Sequence, residues 1–425
     1  MLEILKSTAW YISLVIIIYS CYFTVISLFS LLPQKKNEKF QPKNKFAVVI
    51  AARNEALVIG NLIESLQNQK YPNELFDIIV IPNNCTDDTR NVALSKGSKI
   101  FDCNRVIKSK GDALCEFFDS ILENGNIYDG FCIFDADNVV AEDFIAEMNN
   151  ALCRDIKVGQ GYRDSKNPGD TAISGCYSIY YYMVNRFYNR ARSILHLSAM
   201  INGSGFMVSS EIIQKEGGWH TETMTEDLEF TARCIIAGEK IHWIPEAVFY
   251  DEQPLTFAQS WKQRKRWSTG VIQCFELYTL RLIKNIVNKH GISNTISSFD
   301  LVMFFLAPFV QLLYTAVLII TGLFTLGNLS YFYFPQTDLF YRLFLKMDFS
   351  YIACLAISLF VILIERKNVL KLLKGIIAYW FFILSWLPIN IICICKKQTE
   401  WIQIEHTRDI KINELPVKKI DNTSD

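Results

Sequence analysis

Uncharged runs set the layout of this chain before any motif is considered. Ser7 to Leu32 contains no Asp, Glu, Lys or Arg for 26 residues, enough at ~1.5 Å per residue for one helix across a ~30 Å hydrocarbon layer. Leu301 to Thr337 is uncharged for 37 residues, more than one span needs, and Pro308 divides an interfacial piece from a spanning one. Phe349 to Ile364 forms a second, short C-terminal span, and Gly375 to Cys395 a third apolar stretch broken at Pro388. The N-terminal run has no small-residue cleavage site, so it is an uncleaved anchor rather than a signal peptide.

Flanking charge orients these runs. Lys35, Lys36, Lys39, Lys43 and Lys45 stand against Glu38 just after the first run, which places that flank in the cytoplasm and the N-terminus outside. Glu365 to Lys374 holds four cations against one acid and is cytoplasmic by the same rule. Three full C-terminal spans would leave Lys396 and Lys397 outside, so the last segment is expected to be re-entrant and to return the tail to the cytoplasm. The expected organisation is an anchor (1–34), a cytosolic domain (35–270), an amphipathic interfacial segment (271–298), transmembrane or re-entrant helices (299–397) and a tail (398–425). Such a chain is a multi-pass protein of the plasma membrane with the lipid bilayer as a partner. Its 43 basic and 43 acidic residues balance, which gives no basic excess for nucleic acid. The twelve cysteines follow no zinc spacing and read as small buried thiols of a reducing compartment.

The soluble middle alternates strand and helix. Phe46–Ile50 and Asp77–Ile81 are buried strands, and Phe131–Phe134 a third; Leu57–Gln69, Thr89–Lys96 and Asp112–Glu123 are helical. This repetition predicts a parallel sheet with ligand groups at the strand C-terminal ends. The third strand ends in Asp135-Ala136-Asp137. In an extended chain these carboxylates share a face, and a Mg²⁺ ion carrying a nucleotide diphosphate would relieve their repulsion. A polar turn after a strand has the same composition. Neither GxGxxG nor GxxxxGK[ST] is present, so no dinucleotide fingerprint or P-loop accounts for a nucleotide.

In order along the chain stand Ala51-Ala52-Arg53-Asn54-Glu55, Asn83-Asn84-Cys85-Thr86-Asp87-Asp88-Thr89, Lys110-Gly111-Asp112-Ala113-Leu114, Asp135-Ala136-Asp137, Gly203-Ser204-Gly205-Phe206, Thr225-Glu226-Asp227 and Gln263-Arg264-Lys265-Arg266-Trp267. This series resembles the family two inverting glycosyltransferases of GT-A fold. The last two motifs look like the TED and QxxRW of its membrane-embedded, processive branch, which includes cellulose, hyaluronan and poly-N-acetylglucosamine synthases. The resemblance implies an α/β fold: a cytosolic GT-A type mixed, mostly parallel sheet flanked by helices, with α-helical transmembrane segments at both ends. It also implies Mg²⁺ or Mn²⁺ on Asp135 and Asp137, with Asp135, Asn83, Lys110, Glu226, Gln263, Arg266 and Trp267 on the substrates. Arg266 would pair with diphosphate oxygens and Trp267 would stack on the acceptor sugar.

Each residue also has a plainer reading. Lys110 offers a cation to a diphosphate or is a solvated surface lysine. Gly203 and Gly205 admit a ligand close to the backbone or make an ordinary turn. Asp227 offsets a helix dipole in an acidic first turn, while the resemblance makes it the general base of a single displacement. Asn83 replaces the family's aspartate and offers donor and acceptor without charge. His406, in a tail (Trp401 to Arg408) similar to that of bacterial members, is a lone histidine and reads as structural before it reads as a metal ligand. The expected function is transfer from a UDP-sugar, of glucose or N-acetylglucosamine type, to a growing β-linked polysaccharide. Two rivals remain: a non-processive enzyme glycosylating a lipid, and a catalytically silent sugar-nucleotide-binding subunit.

Overall fold

Alternation along the strands divides the soluble part into two cores. The strands are β1 (Phe46–Ala52), β2 (Phe76–Pro82), β3 (Lys99–Ile100), β4 (Gly130–Asp135), β5 (Val139–Val140), β6 (Val158–Ser165), β7 (Phe206–Ser209) and β8 (Ile241–Asp251). In β1, Ala47 and Val49 face one core while Phe46, Val48, Ile50 and Ala52 face the other. In β4, Phe131 and Ile133 go one way, Cys132 and Phe134 the other. Period-two geometry with apolar residues at every position buries both faces. Each such side chain contributes ~1.5–3 kcal/mol relative to exposure.

A computed structural model describes residues 2–34, 37–288, 291–329, 337–396 and 406–415. Its sheet runs β3-β2-β1-β4-β7-β6-β8-β5. The pairs β1/β2, β1/β4, β2/β3 and β6/β8 are parallel, and β4/β7, β6/β7 and β5/β8 antiparallel. The sheet is therefore mixed and flanked by helices, as expected. All twelve cysteines are free, but only Cys132, Cys176, Cys234, Cys274 and Cys393 are buried, fewer than their apolar contexts suggested.

Among the described residues two helices are long and apolar enough to cross a membrane, Ser7–Leu31 and Leu373–Cys395. A third span results if Ile292–Phe305 and Ala307–Ile320, bent by 45°, act as one. Phe349–Ile364 is shorter. Both prolines sit just beyond a break. Pro308 opposes the carbonyl of Phe304, four residues back, and Pro388 that of Leu384, and such a ring displaces the helix. The second break is held from inside and outside: Ser385 Oγ donates to Phe382 O (2.7 Å), and Arg264 Nη1 donates to Phe382 O (2.8 Å) and Ser385 Oγ (2.7 Å).

The long apolar helices pack directly on the sheet domain. The boundary expected after residue 270 falls inside one helix, Phe257–Asn288. Ala172–Met183 crosses Leu373–Leu384 at Gly175 and Gly375, where a Cβ added at Gly175 would lie 2.9 Å from Gly375 Cα. Tyr22 Oη donates to Asp300 Oδ1 (2.9 Å), and Arg192 Nε pairs with Asp300 Oδ2 (2.7 Å), joining the N-terminal helix to the bent pair. Lys35, Lys36, Lys397 and residues 401–405 of the tail motif lie outside the described residues.

Candidate active site

The register of the parallel strands brings three loops to one edge. Ala51 in β1 lies beside Ile81 in β2 and Asp135 in β4, so the chain exits at Arg53, Asn83 and Asp135 together. Asn54 and Asn84 turn the first two exits with φ of 54° and 49°, a left-handed backbone that Asn tolerates better than most residues. A cavity of about 430 Å³ opens at this edge, within the size range of ligand sites. Asn83, Lys110, Asp135, Asp137, Glu226, Asp227, Gln263, Arg266 and Trp267 all line it.

Several of these residues are placed by other means than sequence spacing suggests. β4 ends at Asp135, and Ala136 and Asp137 form a turn. The two carboxylates thus meet through that turn and not through a shared strand face. Lys110 is the first residue of the helix Lys110–Asn124, capped by a Ser109–Asp112 box, two residues earlier than expected. Its Nζ donates to Asp135 Oδ1 (2.5 Å) and Gly203 O (2.7 Å). Burial pushes the Asp135 carboxyl up, but Lys110 outweighs it and holds the group below its usual value. Asp137 goes the other way: burial, opposed by His406 and reinforced by Asp135, raises it. Two adjacent carboxylates are thereby pushed apart in acidity.

Gly203 links this pair to Asp227. A Cβ added at Gly203, whose φ is 83°, would sit 3.6 Å from Asp227 Oδ2. Asp227 is the second residue of the helix Glu226–Ile236, and Thr225, at the N-cap position, makes no side-chain cap. Burial, then the neighbouring Glu226, push the Asp227 carboxyl up to about 7. Gly205 has a different reason to be glycine from the one expected. A Cβ there would reach within 2.2 Å of the Phe249 ring, so core packing excludes one.

Arg266 Nε and Gln263 Oε1 are buried with no hydrogen-bond partner among the described residues. An orphaned guanidinium nitrogen beside acidic groups fits a site that awaits an anion. The Asn83 amide nitrogen donates to Ala52 O (3.1 Å). Trp267 lies among Tyr177, Tyr180, Tyr181 and Trp386, stacked at 24° on Tyr180 and 27° on Trp386. Much of its ring is already occupied by protein. The aromatic stretch at Tyr177–Tyr188, to which sequence reasoning gave no site, supplies Tyr180, Tyr181 and Val184 to the cavity wall. It continues as a π-helix at Val184–Arg190.

Five further charged residues also line the wall: Glu55, Arg163, Asp251, Glu252 and His406. Arg163 pairs with Asp251 and lies over the Tyr181 ring (4.0 Å). Asp251 rises to about 7 through burial, Arg163 opposing. His406 Nδ1 lies 2.9 Å from Glu55 Oε1 and its Nε2 4.0 Å from Asp137 Oδ2. Burial would lower its pKa, but Asp137 and Glu55 push it up to about 10. The backbone nitrogens of Thr407 and Arg408 donate to Glu252 (2.9 and 3.1 Å), while Glu252 N donates to Asp137 Oδ2 (3.0 Å). Residues 406–408 therefore close one side of the cavity and set the lone histidine between Glu55 and Asp137. Only Glu55 had a signal, as the last residue of the first exit motif. Cys115, Asp119 and His220 also bring ligand-type atoms within 4.8 Å of one another. Arg105 already pairs with Asp119 there (2.9 Å), and none of the three lines the cavity.

Residues 130–387, more than half of the chain, match the family described as glycosyl transferase family group 2. A beta-monoglucosyldiacylglycerol synthase of Nostoc sp. (strain PCC 7120) is 26% identical over 283 residues, 62% of this chain and 55% of that one, so the match spans about half of the relative. A poly-beta-1,6-N-acetyl-D-glucosamine synthase of Staphylococcus epidermidis is 23% identical over 345 residues, 80% of this chain and 79% of that one. Among solved structures, a mannosyltransferase of Pyrobaculum calidifontis, in complex with GDP-Man and Mn²⁺, superposes with a TM-score of 0.57 at 15% identity, covering 91% of this chain and 99% of that one. That superposition shows the fold.

Proposed function

This chain belongs to glycosyl transferase family group 2 and is a hexosyltransferase, and from that premise we propose that it moves a sugar from a UDP-sugar to an acceptor hydroxyl in one inverting displacement at a membrane. The observation that carries the mechanism is Asp227, a carboxylate with a pKa near 7 on the cavity wall beside Gly203. Half ionised at neutral pH, it takes the acceptor's proton as the acceptor oxygen forms its bond to the sugar's anomeric carbon. The bond to the diphosphate breaks, and its electron pair leaves with UDP. Arg266, with its Nε open, pairs with the diphosphate oxygens, and Gln263 Oε1 accepts from a sugar or nucleotide donor. One N–H of the Asn83 amide goes to Ala52 O, which leaves its carbonyl oxygen and its second N–H to offer the base.

Asp135, Asp137 and His406 supply hard oxygen and imidazole donors from two directions, and this set fits a divalent cation. Mg²⁺ or Mn²⁺ there would supply positive charge to the leaving diphosphate. The Mn²⁺ held by the Pyrobaculum mannosyltransferase supports this reading. Without the ion, Lys110 and His406 balance the carboxylates. Membrane attachment is supported by the two spanning-length helices and by the basic flanks.

The test is to incubate detergent-purified protein with Mn²⁺ and a panel of UDP-sugars, measuring UDP release and label transfer. Transfer from one of them supports the reading. UDP binding without release would assign the silent-subunit role, and no UDP binding at all would overturn the proposal.

A further inference from the structure

The same cavity continues past Asp227 and Trp267 into the membrane helices, and its far end is built unlike its near end. Two broken helices face each other there. Phe304, Pro308 and Gln311 come from the break near Leu306, and Ile383, Trp386 and Asn390 from the break at Ser385. Broken helices in a membrane protein are tolerated where they line a cavity, because the freed backbone groups need another partner. Here Arg264 provides one such partner, holding Phe382 O. Four of the six wall residues named are apolar. Of the two amides, Asn390 Nδ2 is already bonded to Gln311 Oε1. Asn390 is 3% exposed, and its Oδ1 has no partner among the described residues. The wall thus offers the Asn390 Oδ1 acceptor and the Gln311 amide nitrogen in a largely apolar surround.

We propose that this end holds the acyl part of a membrane lipid bearing a free hydroxyl, and that such a lipid is the acceptor. A sugar chain brings several hydroxyls per residue, and each left unpaired in such a wall is a penalty. An amphiphile brings one polar end, which Asp227 takes, and an apolar body, which matches the wall of Phe304, Pro308, Ile383 and Trp386. The lipid enters between the two breaks, its hydroxyl pointing toward Asp227 and its chains toward the bilayer. The inference rests on the glycosyltransferase reading, and its test separates the two.

Purified full-length protein is given labelled UDP-sugar, Mn²⁺ and either vesicles containing dioleoylglycerol or total membrane lipid, or soluble β-linked oligosaccharides. UDP affinity is measured alongside. The expected result is label in the solvent-extractable lipid, with at least ~10-fold less on the oligosaccharides. Ala307→Phe, which fills the wall, should cut lipid labelling at least ~10-fold while UDP affinity stays within a few-fold. Ala307→Leu, a smaller filling of the same wall, should lower lipid transfer in the same direction if the larger change fails to fold. Label on oligosaccharides or a water-soluble polymer with none in lipid would overturn the inference and leave the glycosyltransferase reading standing. Loss of UDP binding in the parent protein would overturn both.

Discussion

The two ends of the cavity are held by different physics. At the strand edge, Asp135, Asp137, Lys110, Asp227, Arg163, Asp251, Glu55 and His406 form a charge network fixed by backbone register and by hydrogen bonds to the main chain. At the membrane end the wall consists of two helix breaks, stacked aromatic rings and one amide pair. Electrostatics arranged around a rigid sheet gives orientation and acid–base chemistry. Apolar packing around broken helices gives room and, on the lipid-acceptor proposal, a route for the acyl chains. A sound account must let each end fail separately.

The largest separation is expected at Asp137. Asp137→Ala should weaken Mn²⁺-dependent UDP binding by about 100-fold or more, because it removes a carboxylate held inward by Glu252 N. Calorimetry with and without Mn²⁺ measures this, and unchanged metal-dependent affinity would return the Asp135–Asp137 pair to a polar turn. Next is Arg266→Lys, which keeps charge but loses the Nε donor. A charge-assisted bond of ~1.5–3 kcal/mol implies a loss of about 10- to 150-fold in kcat/KM. An unaffected rate would mean that the orphaned nitrogen serves packing. His406→Ala should then lower apparent Mn²⁺ affinity by about 10-fold, read from the Mn²⁺ dependence of UDP release. No change would leave the tail as a structural wall only.

The near end was legible in the sequence largely because strands impose it. Buried runs at Phe46, Asp77 and Phe131 predict parallel strands, and their exit loops had to meet. Asp137 was singled out on strand geometry, although a turn places it. The rest was hidden for physical reasons. His406 comes to Asp137 across more than 250 residues of chain, and no local pattern encodes that return. Arg163 and Asp251 lie in strands whose burial was not apparent, since the two charges are buried against each other and against Asn202 O and Asn138 Nδ2. The membrane end depended on where proline breaks fall in three dimensions. Pro308 and Pro388 could be read as interruptions, but their meeting across the cavity could not. Trp267 lines the cavity as the resemblance implies, but its neighbours Tyr180 and Trp386 come from segments no local pattern tied to it.

The smallest effect concerns stability. An unfolded aspartate titrates near ~3.9, whereas Asp227 in the folded protein titrates near 7. The folded state holds that proton more tightly, so stability from this group is full below pH 4 and falls as pH rises to 7. Above 7 the loss is complete and constant. Asp227→Asn cannot ionise and escapes this loss. Its Tm should exceed the parent's by about 2–4 °C at pH 8, with the difference shrinking toward pH 4. An equal Tm at both pH values would show that the carboxylate is not held in a desolvated state.

The most direct test of the central claim is sugar transfer by the same Asp227→Asn protein, measured with UDP affinity and melting temperature on one preparation. The amide keeps the shape of the side chain and can accept a hydrogen bond, but it cannot take a proton near neutral pH. With Asp227 as general base, transfer falls ~10²–10⁴-fold while UDP affinity stays within a few-fold and the protein remains folded. In the parent, kcat/KM should rise with pH through about 7, as the Asp227 carboxyl ionises. Transfer by Asp227→Asn within a few-fold of the parent rate would contradict the account and leave Asp227 as an acidic residue offsetting the dipole of its helix.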